Sequence, residues 1–225
     1  MSKRLVIFDF CETLFDLQTA DKFIDFVIEN VKYRKYNFLT VLTNLLVKLR
    51  VFLIISILFP GANLLKRLKL YQLRGISQTT IQTLAIRYYE EILVHRKISI
   101  LHEVLRKHIV SQDHILVVSG GYSPYVKYFS EVYKIQHFFA TEIEFHNCRA
   151  TGKFNGSDCL NNQKVRLIEA YLKNYTLFFD ETIAYSDSIS DLPLLCWADQ
   201  AYVVSKNISQ KWSREYGFNE IVWKN

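Results

Sequence analysis

Residues 4–14 read Arg-Leu-Val-Ile-Phe-Asp-Phe-Cys-Glu-Thr-Leu. An apolar run ends on Asp9, and Thr13 follows four residues later. Such a run predicts a buried strand that carries a carboxylate to the carboxyl edge of a sheet, the edge at which open α/β sheets bind ligands. An aspartate placed there can be a covalent nucleophile, a metal ligand, or both. Many strands end in aspartate, so this stretch takes its meaning from three later segments.

Ile115-Leu-Val-Val-Ser-Gly-Gly-Tyr122 is a second apolar run. It delivers the hydroxyl of Ser119 with Gly120 and Gly121, directly before a predicted helix over 123–133. A hydroxyl and free N–H groups at a helix N-terminus make an anion site. Asn162-Gln163-Lys164 opens a helical pattern over 163–173, with Lys164 in its first turn. A cation there opposes the helix dipole, and a nearby anion would justify it. Ile183-Ala-Tyr-Ser-Asp-Ser-Ile-Ser-Asp191 reads as a short strand entering a loop with carboxylates at Asp187 and Asp191. Acids four apart near a helix start suit a hard cation, because Mg²⁺ favours one or two carboxylates plus phosphate oxygens. Each segment also has a plain structural reading: Ser119 as a helix cap, Lys164 as a solvated lysine, Asp187 and Asp191 as an N-cap pair. Their joint occurrence in this order argues for chemistry.

Together the four segments resemble the haloacid dehalogenase superfamily of aspartate-nucleophile phosphatases across nearly the whole chain. The family's first motif, Asp-x-Asp-x-Thr, stands here as Asp9-Phe10-Cys11-Glu12-Thr13, and Ser119, Lys164 and Asp187/Asp191 fit the second, third and fourth. The long helical insert after the first motif resembles the branch containing phosphoserine phosphatase. Tyr185–Leu195 is also similar to the phosphatidylglycerophosphatase C family. The resemblance implies Asp9 as nucleophile, forming an aspartyl-phosphate. It implies Mg²⁺ bridging Asp9, the phosphate, Asp187 and the main-chain carbonyl of Cys11. Ser119, with Gly120 and Gly121, and Lys164 would hold the phosphate oxygens, and Asp191 would orient the metal's waters or Lys164.

Two positions depart from the family pattern. Cys11 stands where these phosphatases usually keep a second aspartate as general acid and base, and a thiol with a reference pKa near ~8.5 is a poor substitute. Three readings follow: slow hydrolysis or a preference for good leaving groups, proton supply from Glu12 or a cap residue, or loss of hydrolysis with retained phosphate binding. Gln18 matches the position of the glutamate with which phosphoserine phosphatases read the serine ammonium. A neutral amide offers no such charge, which argues against phosphoserine.

The alternation of elements implies a doubly wound, mainly parallel α/β sheet, the Rossmann-like core of the family. Residues 1–16 and 96–225 form that core on this reading, and 17–95 an inserted helical cap. Helices are expected at roughly 20–35, 38–59, 62–74 and 77–95, a hairpin over 141–157, and a late edge strand at 220–223. The four cysteines, Cys11, Cys148, Cys159 and Cys196, have no Cys-x-x-Cys spacing and read as free thiols in a reducing compartment. The six histidines form no His-x-x-x-His pair, so a zinc site is not expected. The short apolar stretch before Asp9 is not a signal peptide, and a cytoplasmic protein is expected.

Charge is distributed unevenly. Residues 30–89 hold ten of the 28 Lys and Arg and none of the 22 Asp and Glu. The asymmetry points to an anionic partner for the insert. Val51–Phe59 is apolar but for Ser56 and too short to span a bilayer alone. Extending it back to Phe38 places Lys48 and Arg50 mid-span, each costing about 2.5–3.5 kcal/mol. The stretch reads as a buried helix of the insert or as a helix on an anionic membrane surface. In the second case Lys32, Arg34, Lys35, Lys66, Arg67 and Lys69 would lie near headgroups. No motif supports a nucleic-acid partner. The expectation is a Mg²⁺-dependent phosphomonoesterase, its substrate a phosphorylated lipid or a sugar or polyol phosphate made for a cell-surface polymer. The alternative is a catalytically impaired phosphate-binding protein that docks on membranes or glycan-synthesis enzymes.

Overall fold

The computed structural model describes residues 3–31 and 63–224. β1 (Arg4–Phe8) lies at the centre of a sheet, between β2 (His114–Tyr122) and β6 (Glu181–Ser186). β3 (His137–Thr141) extends the sheet beyond β2; β7 (Gln200–Lys206) and β8 (Asn219–Trp223) extend it beyond β6. The order is β3-β2-β1-β6-β7-β8, with parallel pairing throughout. The chain builds away from β1 to β3 and then returns to its other side with β6. The crevice between β1 and β6 is therefore the topological switch point, where such sheets bind ligands.

Leu5, Val6, Ile7 and Phe8 are all fully buried, because helices cover both faces. Val6 and Phe8 join a cluster supplied by α1 (Thr19–Asn30), α3 (Gln78–Glu91), α4 (Ser99–Val110) and α5 (Ser123–Tyr133). Leu5 and Ile7 face the opposite way, toward α6 (Asn162–Asn174) and α7 (Leu192–Trp197). A short α8 (Lys211–Glu215) precedes β8, the edge strand expected near 220–223.

The insert leaves and rejoins the sheet layer at adjoining points. Phe15 bridges Lys97, the Asp16 N–H donates to the Arg96 carbonyl at 2.8 Å, and the Ile98 N–H donates to the Leu14 carbonyl at 3.0 Å. Its described helices share the apolar core of the sheet: Phe23, Ile24, Leu84 and Tyr88 lie in one cluster with Phe8, Phe10 and Phe129. α2 (Leu64–Tyr71) is shorter than the helix expected over 62–74, and α1 ends at Asn30, short of the expected 35. The helix expected over 38–59, and with it Val51–Phe59, Lys32, Arg34, Lys35, Lys48 and Arg50, lies outside the described residues. No helix among the described residues is long and apolar enough to cross a membrane.

Two of the cations assigned to a membrane surface point inward. Lys66 pairs with Asp158, and Lys69 Nζ lies 3.2 Å from Asp21 and 3.8 Å from Asp25. Arg67 lies over the ring of Phe154, 5.1 Å from its centre. The described part of the insert thus keeps less free positive charge than its composition suggests.

The hairpin over 141–157 consists of β4 (Ile143–His146) and β5 (Arg149–Phe154). Its turn is Asn147-Cys148, both left-handed at φ 47° and 57°, the pattern of a type I′ turn. Gly152 sits within β5 at φ 82°, where a Cβ would come within 2.8 Å of the Tyr71 Cα. The last residue of α2 therefore rests directly on the hairpin backbone. Residues 75–78 continue the contact: Gly75 N–H donates to the Ala150 carbonyl at 2.8 Å, and Ala150 N–H to the Ile76 carbonyl at 2.9 Å.

Candidate active site

Asp9 follows the last residue of β1, and its N–H donates to the Tyr185 carbonyl of β6 at 2.9 Å. The carboxylate is thereby held at the switch point. Lys164, from the first turn of α6, is 1% exposed and donates to Asp9 Oδ1 and to Asp191 Oδ2, each at 2.6 Å. These are the anions its place at a helix N-terminus called for. Burial works to discharge Lys164, but Asp191 and Asp9 together outweigh it and hold the ammonium's pKa above the usual lysine value. Asp191 Oδ2 also accepts from the Ser186 hydroxyl at 2.6 Å, while Asp191 Oδ1 is buried without a hydrogen-bond partner. Asp191 precedes α7 but makes no side-chain cap. Its Oδ2 thus holds Lys164 in place.

Thr13 and Asp187 lock the loop after β1 to the end of β6. The Thr13 hydroxyl donates to Asp187 Oδ1 at 2.9 Å and accepts from the Asp187 N–H at 3.0 Å. Burial pushes the Asp9 carboxyl up to about 6 against the pull of Lys164. Burial and then the charge of Asp9 push Asp187 well above the carboxylate range. Lys164 pairs with Asp9 and Asp191, and Asp187, raised by the charge of Asp9, adds acid that a further cation would balance.

β2 runs past Ser119 to Tyr122, the end of the apolar run read from the sequence. Its register with β3 slips after Val118↔Phe139 and resumes at Tyr122↔Thr141, so Ser119, Gly120 and Gly121 bulge from the ladder. The expected free N–H groups are partly spent: Gly121 N–H donates to Ser119 Oγ at 2.8 Å, and Tyr122 N–H to the Tyr125 hydroxyl at 2.9 Å. Filling the acceptor side of Ser119 leaves its hydroxyl hydrogen to donate to a ligand.

Cys11 does not stand free. Its sulfur lies 2.8 Å from Thr19 Oγ1, which lies 3.0 Å from the Tyr125 hydroxyl, and Tyr88 donates to the Thr19 carbonyl at 3.0 Å. Burial, and after it Asp9, pushes the thiol up to about 11. Glu12 is left-handed at φ 54°, and its exposed carboxylate accepts from the Gln18 amide. Glu12 and Gln18 thus face each other, and the charge of Glu12 also helps to raise Asp187. Thr19, Tyr125, Ser186 and Lys66 were not legible as site residues. Each belongs to a helix or strand whose pattern is the same whichever way a polar side chain turns.

The family model for haloacid dehalogenase-like hydrolases matches residues 6–195. No curated protein matches the chain. Among solved structures, a protein of unknown function from Bordetella pertussis Tohama I is similar at 20% identity, with 98% of this chain and 99% of that chain covered and a TM-score of 0.80. A phospho-aspartyl intermediate analogue of phosphoserine phosphatase is similar at 16% identity, 98% and 94% coverage and a TM-score of 0.63. Cytosolic 5′-nucleotidase IIIB bound to cytidine is similar at 15% identity, 99% and 80% coverage and a TM-score of 0.63. These likenesses establish the fold. The family match begins inside β1 and ends inside α7, taking in every segment that meets at the switch point, and the chain belongs to the haloacid dehalogenase-like hydrolases.

Proposed function

We propose that the protein is a Mg²⁺-dependent phosphomonoesterase that works through an aspartyl-phosphate on Asp9, with residues 17–95 as its cap. The observation that carries this reading is Lys164, a buried ammonium held 2.6 Å from both Asp9 and Asp191 at the sheet's carboxyl edge. A buried charge is costly, and such a lysine is retained where it orients a nucleophile and meets phosphate oxygens. The phosphoserine phosphatase with a phospho-aspartyl intermediate analogue shares this fold, which supports the assignment.

The donor set suits Mg²⁺. Asp9, Asp187 and the main-chain carbonyl of Cys11 would hold the ion, which when bound neutralises phosphate charge. The excess of acid over ammonium calls for a cation, yet among the described residues no three Asp, Glu, His or Cys side chains enclose one alone. Mg²⁺ commonly takes one or two carboxylates and keeps water and phosphate as its other ligands. The chain's own groups then act in order. Ser119 and Lys164 bind the phosphate oxygens, and Asp9 attacks phosphorus as the ester P–O bond breaks, the departing oxygen taking its proton from solvent. Water then releases phosphate from Asp9.

The substrate we favour is a sugar or polyol phosphate, with a phosphorylated lipid next. Gln18 is neutral and held by Glu12, which speaks against a serine ammonium; Lys66 and Lys69 are engaged in ion pairs rather than turned to headgroups. The contact between Cys11 and Thr19 supports a second reading, a protein that binds phosphate groups with little turnover. Phosphate release from p-nitrophenyl phosphate, with Mg²⁺ and after chelation, separates them. Wild type should turn over with Mg²⁺, and Asp9→Asn should lose about 10⁴-fold or more in kcat. Saturable phosphate binding without release favours the second reading. Normal turnover by Asp9→Asn overturns the mechanism.

A further inference from the structure

Lys66 reaches from α2 into a buried polar knot beside the Ser119–Gly121 bulge. Its ammonium donates to the Gly120 carbonyl at 2.5 Å, to Thr141 Oγ1 at 3.0 Å and to Asp158 Oδ1. The side chains of Lys66 and Asp158 are only 14% and 11% exposed, and the ammonium lies 5.4 Å from the ring centres of both Tyr122 and Phe154. Asp158 also accepts from Thr141 at 2.6 Å and from Asn63 at 3.0 Å. A buried ion pair contributes little net stability and often less than an apolar replacement, so its value lies in what it positions.

We infer that Lys66 is a positioning residue for the phosphate-binding turn: it holds the Gly120 carbonyl from the insert's side and, through the Gly120–Gly121 peptide, sets the Ser119 hydroxyl. The link is covalent geometry. A trans peptide is planar, with its carbonyl and N–H pointing opposite ways, and no peptide among the described residues is cis. Pinning the Gly120 carbonyl therefore aims the Gly121 N–H, which donates to Ser119 Oγ at 2.8 Å. The turn needs an outside hold. A Cβ at Gly120 would fall 2.4 Å from Leu160 Cδ2, and one at Gly121 would fall 2.3 Å from the Tyr125 hydroxyl. Two glycines are thus required in a bulge that the sheet ladder does not restrain, and glycine is the residue with most freedom to lose. The inference rests on the proposed reading of Ser119 as a phosphate donor. It also joins the placement of α2 to the geometry of the turn.

The test compares Lys66→Met with Lys69→Met, which removes the ion pairs of α2 with Asp21 and Asp25 and does not touch Gly120. Three quantities are read: the inhibition constant of orthovanadate, kcat and KM on p-nitrophenyl phosphate, and amide hydrogen exchange at Gly121 in the ligand-free protein. Lys66→Met should weaken orthovanadate about tenfold, the worth of one hydrogen bond to a charged group, and should speed Gly121 exchange. Lys69→Met should do neither. If Lys66→Met does not fold, Lys66→Gln, which keeps the stem and a neutral donor, takes its place in the same comparison. Unchanged orthovanadate affinity or unchanged Gly121 exchange in the Lys66 variant overturns the inference. So does a Lys69→Met protein that shows both effects, because docking of α2 would then be the cause. A wild type that neither releases phosphate nor binds orthovanadate overturns the proposed function, and with it the role of Lys66 in phosphate binding.

Discussion

Lys164 and Cys11 answer to the same burial in opposite ways. Lys164 keeps its charge because two carboxylates face it; removing it strands Asp9 and Asp191 without a counter-ion. Lys164→Met should therefore lose turnover and also about 3–5 kcal/mol of stability, read by urea unfolding of the metal-free protein. A variant as stable as wild type would mean that the two acids lose little when the ammonium goes. Cys11 has no charge to defend and rests on Thr19, its pKa pushed up to about 11 by burial and Asp9. Cys11→Asp should raise turnover of alkyl phosphates by about 10²-fold and change aryl phosphates much less, since only poor leaving groups need a proton. Equal gains on both substrates would point to another donor. Asp9, Lys164 and Asp187 were legible as site residues because each ends a strand or opens a helix. The hydrogen bond between Thr19 and Cys11 was not, because a threonine in the first turn of a helix can cap, turn outward or face a loop.

Elements show the same division. The helix over 123–133 and the lysine-bearing helix near 163–173 follow from apolar spacing and appear at Ser123–Tyr133 and Asn162–Asn174. The hairpin turn did not announce itself: Asn147-Cys148 lacks a glycine, yet both residues are left-handed. The glycine that looks like turn material, Gly152, instead lets α2 approach β5. Gly152→Ala combines a positive φ with a Cβ 2.8 Å from the Tyr71 Cα. It should cost about 2 kcal/mol or more and speed amide exchange in α2 before that of α6. Loss confined to the hairpin, with α2 untouched, would show that the helix does not lean on it.

Stability of the whole molecule should depend on pH through His102, which is 2% exposed and ties α4 to two other parts of the core. Its Nε2 lies 3.0 Å from the Leu14 carbonyl and its Nδ1 2.8 Å from the Tyr133 hydroxyl, which suits the neutral ring. Burial pushes its pKa down to about 4. The unfolded chain takes up this proton near the ordinary value of about 6.5, so the contribution is complete above that pH and is lost as pH falls toward 4. Asp9, raised to about 6, works the other way: its contribution is present in acid and is lost as pH rises through that value. Comparing wild type with His102→Gln cancels the Asp9 effect. Between pH 6.5 and 4 the wild-type melting temperature should fall more steeply than that of the variant, by up to about 3 kcal/mol in stability. Parallel slopes would remove His102 from the account. Residue order alone was enough for the parallel α/β class and the segments bearing carboxylate, hydroxyl and ammonium. Apolar runs and the polar residues that end them are local properties. Partners were settled by packing. Lys164 and Asp9 are 155 residues apart, Thr13 and Asp187 are 174 apart, and Lys66 meets Gly120 across 54. Which cation a buried acid receives, and which lysine of a basic insert turns inward, depends on the desolvation and geometry that exist once the distant segments are brought together.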